Sequence, residues 1–293
     1  MNEAISRREW LTLVSSLVPA ALAPRGAALA DAVPFDARVK AIETLVGGRL
    51  GAAFWDTHDA RRGSYRGTER FPMCSTFKLL AAAAVLAKVD RGDEQLDRIV
   101  QYGQDRVLEY APVTSKHVRD GLSVSALCAA AIEQSDNTAG NLLLDIIGGP
   151  AALTGYLRGT GDVVTRLDRT EPTLNMADTG DPRDTTSPLA MVETMDRLIV
   201  DTKILSEPSR KRIQDWLVAS TTGADRLRAG LPREWRVGDK TGSGQHSATN
   251  DVGIAWPPNR KPLLIAVFSV DSPGSPADRS RAIADVARAV AGR

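Results

Sequence analysis

The spacing of apolar residues predicts three successive blocks of secondary structure, and the first combines a helix with strands. Residues 36–48 repeat apolar positions at helical spacing, and the glycine pair at 47–48 predicts the end of that helix. Its apolar face is expected to consist of Val39, Ile42, Leu45 and Val46. Residues 49–55 are rich in apolar side chains and predict a strand, which a turn at residues 61–63 follows.

Helices dominate the second block. Residues 79–87, rich in Ala and Leu, follow Ser75 and precede Gly92, which predicts a helix of about four turns that begins at Ser75. Residues 161–187 have few apolar periods and many turn-forming residues, so they predict a long loop, and such loops are usually functional or disordered. Further helices are predicted at residues 123–134, 138–147, 187–201 and 207–219, and from Pro150.

The third block returns to strand periodicity after Trp235. Strands are predicted at residues 237–240, 249–256 and 263–270, and residues 277–291 predict a closing helix. Because strands occur near both ends of the chain, we expect them to share one sheet, with the helical block inserted between them. Such an insertion predicts two lobes with a cleft at their junction, a favoured position for a ligand site.

Composition argues against several classes of function. The chain of 293 residues has 37 Lys and Arg against 36 Asp and Glu, a formal net charge of +1. No basic stripe indicates nucleic-acid binding. No uninterrupted apolar run reaches the roughly 18 residues that a membrane-spanning helix needs.

The first 30 residues predict an export signal, not part of the fold. An arginine pair at residues 7–8 precedes an apolar segment at 11–23, and Ala-Leu-Ala at 28–30 fits a cleavage site before Asp31. The arginine pair is typical of a twin-arginine signal, and a general secretory signal with an incidental arginine pair is the alternative. We therefore expect a periplasmic or secreted bacterial protein.

Cys74 and Cys128 are the two cysteines of the chain. An oxidising compartment would favour a disulfide between them. However, Cys74 is next to Ser75 and Cys128 lies in an apolar helix, so two buried thiols fit at least as well. We expect the two cysteines to be unpaired.

A Ser-x-x-Lys sequence at Ser75 and Lys78 is the first candidate for chemistry. Residues three apart share a helix face, so the amine would lie beside the hydroxyl. A serine hydroxyl becomes a strong nucleophile when a neighbouring base takes its proton, and a helix N-terminus favours developing negative charge. An ordinary capped core helix with a surface lysine is the alternative.

Three polar clusters follow this pair along the chain. Residues 135–137, Ser-Asp-Asn, lie between two predicted helices, where they would face a cleft or form a capping turn. Residues 240–242, Lys-Thr-Gly, end a predicted strand, where they would bind a carboxylate or form a plain turn. Glu171 and Asn175 lie in the long loop, where a glutamate before a proline is usually solvated.

The order of these motifs resembles that of the class A serine β-lactamases. Ser-x-x-Lys, Ser-Asp-Asn and Lys-Thr-Gly occur together in those enzymes and in penicillin-binding proteins. The segment 169–175 resembles what the β-lactamases add to this trio, and the resemblance covers residues 49 to near the C-terminus. It implies hydrolysis of the β-lactam ring of penicillin- and cephalosporin-type antibiotics through an acyl-enzyme on Ser75, and hence antibiotic resistance.

The resemblance also implies an α+β fold of the β-lactamase/transpeptidase type. In that fold an antiparallel sheet is flanked by helices from both chain ends, and an all-α lobe is inserted, with the active site in the cleft between them. The catalytic domain would be residues 31–293. Its α/β lobe would comprise about residues 31–70 and 215–293, and its all-α lobe about residues 71–214.

The matching residues acquire roles from the resemblance. Ser75 corresponds to the nucleophile, Lys78 to its proton-relay partner, and Ser135 to the group that protonates the departing lactam nitrogen. Glu171 corresponds to the base that activates the deacylating water, and whether Lys78 or Glu171 is the acylation base stays open. The backbone N–H groups of Ser75 and Ser243 would form the oxyanion hole. Residues expected to bind the substrate or the water are Asn137, Asn175, Lys240, Thr241, Gly242, Ser243, Arg226 and Tyr110.

Some assignments have explicit alternatives. Arg169 and Asp184 would close the loop as an ion pair, or they are two solvated charges. Residues 247–251 contain no arginine where many members carry one, so Arg226 is expected to take its place, a surface arginine being the alternative. Tyr110 would line the cleft mouth, or it is a plain surface residue.

One departure concerns Cys74. Carbapenem-hydrolysing members pair such a cysteine with another just after Lys-Thr-Gly-Ser, where this chain has Gly244, so that disulfide is not expected.

Other functions compete with hydrolysis. A penicillin-binding DD-peptidase or a non-hydrolysing penicillin sensor would share the motif trio but have no use for Glu171. A glutaminase or esterase with Ser-x-x-Lys would need neither Lys-Thr-Gly nor the Glu171–Asn175 pair. We expect a monomer without cofactor or metal, since the three histidines, His58, His117 and His246, are scattered along the chain.

Overall fold

A computed structural model describes residues 33–176, 178 and 180–292. The predicted export signal lies outside these residues. Within them, no helix combines the length and apolar character needed to cross a membrane.

The main sheet has five strands in the order β2-β1-β9-β8-β7, and all neighbours are antiparallel. Its strands are β1 (Arg49–Asp56), β2 (Arg62–Tyr65), β7 (Arg236–Ser243), β8 (Thr249–Trp256) and β9 (Leu263–Val270). Two-residue pairs form the minor sheets, β3 (Phe71–Pro72) with β6 (Thr185–Thr186) and β4 (Ile99–Val100) with β5 (Leu122–Ser123). Strands from both ends of the chain therefore share one sheet, as the sequence predicts.

Most of the helices lie between β2 and β7. They are α2 (Phe77–Asp90), α3 (Val124–Glu133), α4 (Asn137–Ile147), α5 (Pro150–Gly159), α6 (Pro188–Met195) and α7 (Glu207–Val218), with the short α8 (Leu227–Gly230) before β7. Helices α1 (Phe35–Val46) and α9 (Pro276–Val290) come from the two ends of the chain. The α+β fold class is confirmed.

Two apolar cores lie on opposite faces of the sheet. The helices α1 and α9 contribute Val39, Ile283 and Val286 to one core, together with Leu50 of β1. The other core centres on α2, in which every residue from Phe77 to Ala87 is buried. A helix that is apolar on all sides is stable only when it is surrounded, so α2 forms the interior of the helical region.

Several local predictions are wrong. Ser75 does not begin an α-helix, because residues 74–76 form a 3₁₀ turn, with Cys74 at a φ of 47°, and α2 begins at Phe77. Residues 62–63 belong to β2 and do not form a turn. Lys-Thr-Gly lies within β7, which continues to Ser243.

The apolar face predicted for α1 is also partly wrong. Leu45 is 89% exposed. Glu43 is buried in its place, where its carboxylate accepts hydrogen bonds from Leu50 N at 2.8 Å, Tyr65 Oη at 2.6 Å and Arg66 Nε at 2.8 Å. A buried carboxylate is stable there because its oxygens have several donors.

Two glycine substitutions test the packing of the sheet. A Cβ at Gly51 in β1 would lie 2.3 Å from the fully buried Phe71 ring, so Gly51→Ala should lower the free energy of unfolding by about 1–3 kcal/mol. A Cβ at Gly155 in α5 meets nothing within 4 Å, so Gly155→Ala should raise it by up to about 1 kcal/mol. Urea unfolding measures both. Equal effects of the two substitutions would contradict the packing described for β1.

Candidate active site

Lys78 is a buried amine that contacts several polar groups of the helical region. It lies in the first turn of α2, without solvent exposure, and Gly140 permits its approach to α4, since a Cβ there would lie 2.8 Å from Lys78 Cε. Its Nζ donates hydrogen bonds to Ser75 Oγ at 2.9 Å, Ser135 O at 2.8 Å and Asn137 Oδ1 at 2.6 Å. Burial lowers the pKa of Lys78, and the carboxylate of Glu171 opposes that shift.

In the Ser-Asp-Asn segment, Asp136 caps a helix, and Ser135 and Asn137 contact Lys78 and Lys240. Asp136 is the N-cap of α4 and accepts from Ala139 N at 2.9 Å, so the capping-turn alternative is correct for this residue. Ser135 has a φ of 57°, and its Oγ accepts from Lys240 Nζ at 3.0 Å. Ser135 and Asn137 thus connect the lysines of α2 and β7.

The long loop brings a carboxylate to Ser75. Glu171 is buried, and its Oε1 lies 3.0 Å from Lys78 Nζ and accepts from Ser75 Oγ at 3.3 Å. Asn175 Nδ2 donates to Glu171 Oε2 at 2.5 Å. A carboxylate and an amine are therefore both within hydrogen-bond distance of one serine hydroxyl, and a base at this distance can activate a serine as a nucleophile.

An ion pair connects the two ends of this loop. Arg169 Nε lies 2.5 Å from Asp184 Oδ2, and Asp184 has no solvent exposure. Asp184 Oδ1 accepts hydrogen bonds from the backbone N–H groups of Asp168 at 2.7 Å and Arg169 at 2.9 Å. The solvated-charge alternative is wrong for Asp184, whose charge is paired and hydrogen-bonded in the interior.

Asn141 is a positioning residue that the sequence reasoning missed. Its Oδ1 accepts from Glu171 N at 2.9 Å, and its Nδ2 donates to Glu171 O at 2.9 Å, so one side chain holds the backbone of Glu171 from both sides. Asn141 lies one helical turn after Asn137 on α4, and this i,i+4 spacing is the signal that could have found it.

Strand β7 forms the opposite wall of the site. Gly242 lets this strand run close to the turn that carries Ser75, since a Cβ there would lie 2.8 Å from Met73 O. Arg226 Nη1 donates to Gly242 O at 3.0 Å and its Nη2 to Ser243 Oγ at 2.9 Å. Thr222 was also not predicted as a site residue from the sequence. Its Oγ1 lies 2.7 Å from Thr241 Oγ1.

A cavity of about 340 Å³ lies between these walls. Tyr110 lies at its edge and is 52% exposed. Burial and the nearby charge of Lys78 lower the pKa of Lys240 from 10.5 to about 7. The lining residues are Ser75, Tyr110, Ser135, Asn137, Asn175, Thr222, Arg226, Thr241, Gly242 and Ser243.

Cys74 and Cys128 are free, buried thiols. Burial raises the pKa of Cys74 to about 12, so the thiol beside Ser75 stays protonated at neutral pH and is a weak nucleophile.

In the part of the chain that the structure describes, no group of three or more His, Cys, Asp or Glu side chains is placed to hold a metal ion. His246 Nε2 lies 3.4 Å from Asp178 Oδ1, a neighbour that its position in the sequence did not indicate.

Comparisons with known proteins agree with this geometry. A model of the β-lactamase enzyme family matches residues 34–293. The β-lactamase AST-1 of Nocardia asteroides is 46% identical over 255 residues, 87% of this chain and 82% of that protein. The β-lactamase Toho-1 of Escherichia coli is 43% identical over 283 residues, 97% of this chain and 96% of that protein.

Solved structures give the same result. The class A β-lactamase reconstructed as the last common ancestor of Gram-negative bacteria aligns with a TM-score of 0.86 and 56% identity, over 88% of this chain and 98% of that chain. The putative class A β-lactamase PenP from Rhodopseudomonas palustris aligns with a TM-score of 0.86 and 49% identity, over 88% of this chain and 98% of that chain.

The lowered pKa of Lys240 predicts a pH dependence of stability. Between pH 7 and pH 10.5 the unfolded chain binds a proton at Lys240 that the folded chain does not bind, so the free energy of unfolding should rise with pH. This titration contributes at most about 1.4 kcal/mol per pH unit to the rise in the free energy of unfolding, and Lys240→Met removes it. Urea unfolding from pH 7 to 9.5 should therefore give a steeper rise for the wild type than for the variant. Parallel curves would contradict a lowered pKa at Lys240.

Proposed function

The chain belongs to the class A β-lactamase family and hydrolyses the β-lactam ring, and we propose that Ser75 is the nucleophile of that reaction. Its Oγ would attack the lactam carbonyl carbon, forming an ester as the C–N bond of the ring breaks. The observation that carries this proposal is the buried carboxylate of Glu171, within hydrogen-bond distance of both Ser75 Oγ and Lys78 Nζ. The enzyme thereby confers resistance to penicillin- and cephalosporin-type antibiotics.

In the acylation step, Ser75 must lose its proton as the ester forms. Glu171 Oε1 at 3.3 Å can receive it directly, and Lys78 Nζ at 2.9 Å can receive it when the amine is neutral, so both routes stay open. Ser135 would then protonate the departing lactam nitrogen, because its hydroxyl receives a hydrogen bond from Lys240 and lies beside the cavity. The backbone N–H groups of Ser75 and Ser243 would stabilise the oxyanion.

In the deacylation step, we propose that Glu171 takes a proton from water as that water attacks the Ser75 ester. Asn175 would help to hold the water, since its Nδ2 already donates to Glu171. The ion pair between Arg169 and Asp184 would keep the loop, and hence Glu171, in position. A DD-peptidase or a penicillin sensor has no need for this second base, which is why hydrolysis is preferred.

The substrate carboxylate would bind to the wall formed by β7. Arg226 supplies a permanent positive charge, Lys240 adds one when it is protonated, and the hydroxyls of Thr241, Ser243 and Thr222 lie around them. Gly242 would let the substrate approach the strand. On the opposite wall, Asn137 would hydrogen-bond the side-chain amide of the substrate, and Tyr110 would border the entrance.

We further propose that the protein is exported by the twin-arginine route, works in the periplasm or outside the cell, and is a monomer. Two lobes, at about residues 31–70 with 215–293 and at about 71–214, would border the cleft. These proposals follow from the sequence motifs.

Glu171→Gln should separate the two halves of the reaction. The amide cannot accept a proton from water, so deacylation should slow by about 100-fold or more. Mass spectrometry should show a penicilloyl adduct on Ser75 that persists in the variant, while the wild type consumes benzylpenicillin rapidly. Ser75→Ala is the control and should form no adduct. A persistent adduct on the wild type would instead indicate a sensor or a peptidase.

Arg226→Gln tests the carboxylate site. A charge-assisted hydrogen bond contributes about 1.5–3 kcal/mol, so kcat/KM should fall by about 10- to 100-fold, mostly through a higher KM. Arg281→Gln is a matched control, since the Arg281 side chain is 70% exposed on α9. Equal kinetics for Arg226→Gln and the control would contradict the role of Arg226.

A further inference from the structure

A pair of buried carboxyl groups, Asp239 and Asp251, lies behind the carboxylate site and has no part in the proposed reaction. Asp239 is on β7 and Asp251 on β8, and neither has solvent exposure. Asp251 is opposite Thr241, two residues from Asp239, so both acids lie on one face of the sheet as diagonal neighbours. Gly253 is opposite Asp239, and a Cβ there would lie only 3.5 Å from Asp239 Cβ.

Each carboxyl group has one oxygen with a donor and one without. Arg228 Nε donates to Asp239 Oδ1, and Leu227 N donates to Asp251 Oδ2 at 3.0 Å. The other two oxygens, Asp239 Oδ2 and Asp251 Oδ1, are buried and have no partner among the described residues. Two unpartnered acceptors on neighbouring acids are unfavourable unless one acid keeps its proton and donates it to the other.

The segment before α8 covers this face closely. A Cβ at Gly223 would lie 1.7 Å from Asp239 Oδ2, so the backbone packs directly on that oxygen. The same segment carries Arg226 into the active site. All hydrogen bonds of Arg226 within the described residues go to neutral groups, Gly242 O, Asn250 O and Ser243 Oγ.

We propose that Asp239 and Asp251 share one proton at neutral pH, and that this proton leaves the positive charge of Arg226 available for the substrate carboxylate. The carboxyl O–H of one acid donates to the carboxylate oxygen of the other, so the pair carries a single negative charge. That charge is offset by Arg228. A second negative charge on the pair would compete with the substrate for Arg226. This inference rests on the proposed role of Arg226, and the two aspartates are positioning residues.

The electrostatics of the surroundings support this assignment. Burial raises the pKa of both carboxyl groups, and the charge of Asp239 raises that of Asp251 further. The cations Arg228, Arg226 and Lys240 act in the opposite direction. Two strongly interacting acids lose their protons in separate steps, so one proton is retained after the other has dissociated.

Infrared difference spectroscopy tests the proton directly. The wild type at pH 7.5 should show the carbonyl band of a protonated carboxylic acid, and this band should disappear in Asp251→Asn. The asparagine amide can donate to Asp239 Oδ2 and its oxygen can accept from Leu227 N, so the variant should fold. Glu171→Gln should keep the band. Absence of the band from the wild type, or its persistence in both Asp251→Asn and Asp239→Asn, would overturn the shared proton.

Kinetics test the consequence for substrate binding. As the pH rises and the pair loses its proton, the KM for benzylpenicillin should increase more in the wild type than in Asp251→Asn. Lys240 also titrates in this range, and the charges of Asp239 and Asp251 act on its pKa. The comparison is therefore repeated in a Lys240→Arg background, because the guanidinium stays charged over the whole range. Parallel KM profiles would overturn the link between the proton and Arg226. If Arg226→Gln leaves KM unchanged while the infrared band is present, the role of Arg226 fails and the shared proton stands.

Discussion

The ion pair between Lys78 and Glu171 is the interaction on which the site depends. Its two charges lie 3.0 Å apart, and neither side chain is exposed to solvent. Removing two charges from water is costly unless their remaining hydrogen-bonding groups are satisfied. Lys78 is satisfied by Ser75, Ser135 and Asn137, which belong to two segments far apart in the sequence. The Lys78–Glu171 pair is therefore satisfied only when these segments of the helical region pack together accurately.

The long loop illustrates how irregular backbone can hold a charged group accurately. It contains little regular structure, yet Asp184 anchors one end through Arg169 and Asn141 holds Glu171 from the side of α4. Each anchor is a buried or half-buried polar contact. Hydrogen bonds and ion pairs of this kind fix the direction of a group, whereas apolar packing does not. A hydrolase needs this accuracy because the water-activating base must face an ester that forms only transiently.

Much of this architecture could be predicted from local patterns. The bounds of β8 and β9 are as predicted, since apolar strands between turn residues carry a strong local signal, and Ser123 caps α3 as expected. The length of β7 could not be predicted, because pairing with β8 extends it through polar residues as far as Ser243. The turn at Cys74 likewise depends on tertiary contacts. Motif order identified the catalytic candidates, whereas Asn141, Thr222 and the Asp239–Asp251 pair depend on contacts between distant segments.

The most direct test of the account is a comparison of the two half-reactions in Asn141→Ala by stopped-flow measurement with benzylpenicillin. Asn141 holds only the backbone of Glu171, so its removal should loosen the base without removing it. We expect the deacylation rate to fall by about 10-fold or more, since small misplacements are costly, and the acylation rate to fall less. An unchanged deacylation rate would contradict the proposal that Asn141 holds Glu171 in position for deacylation.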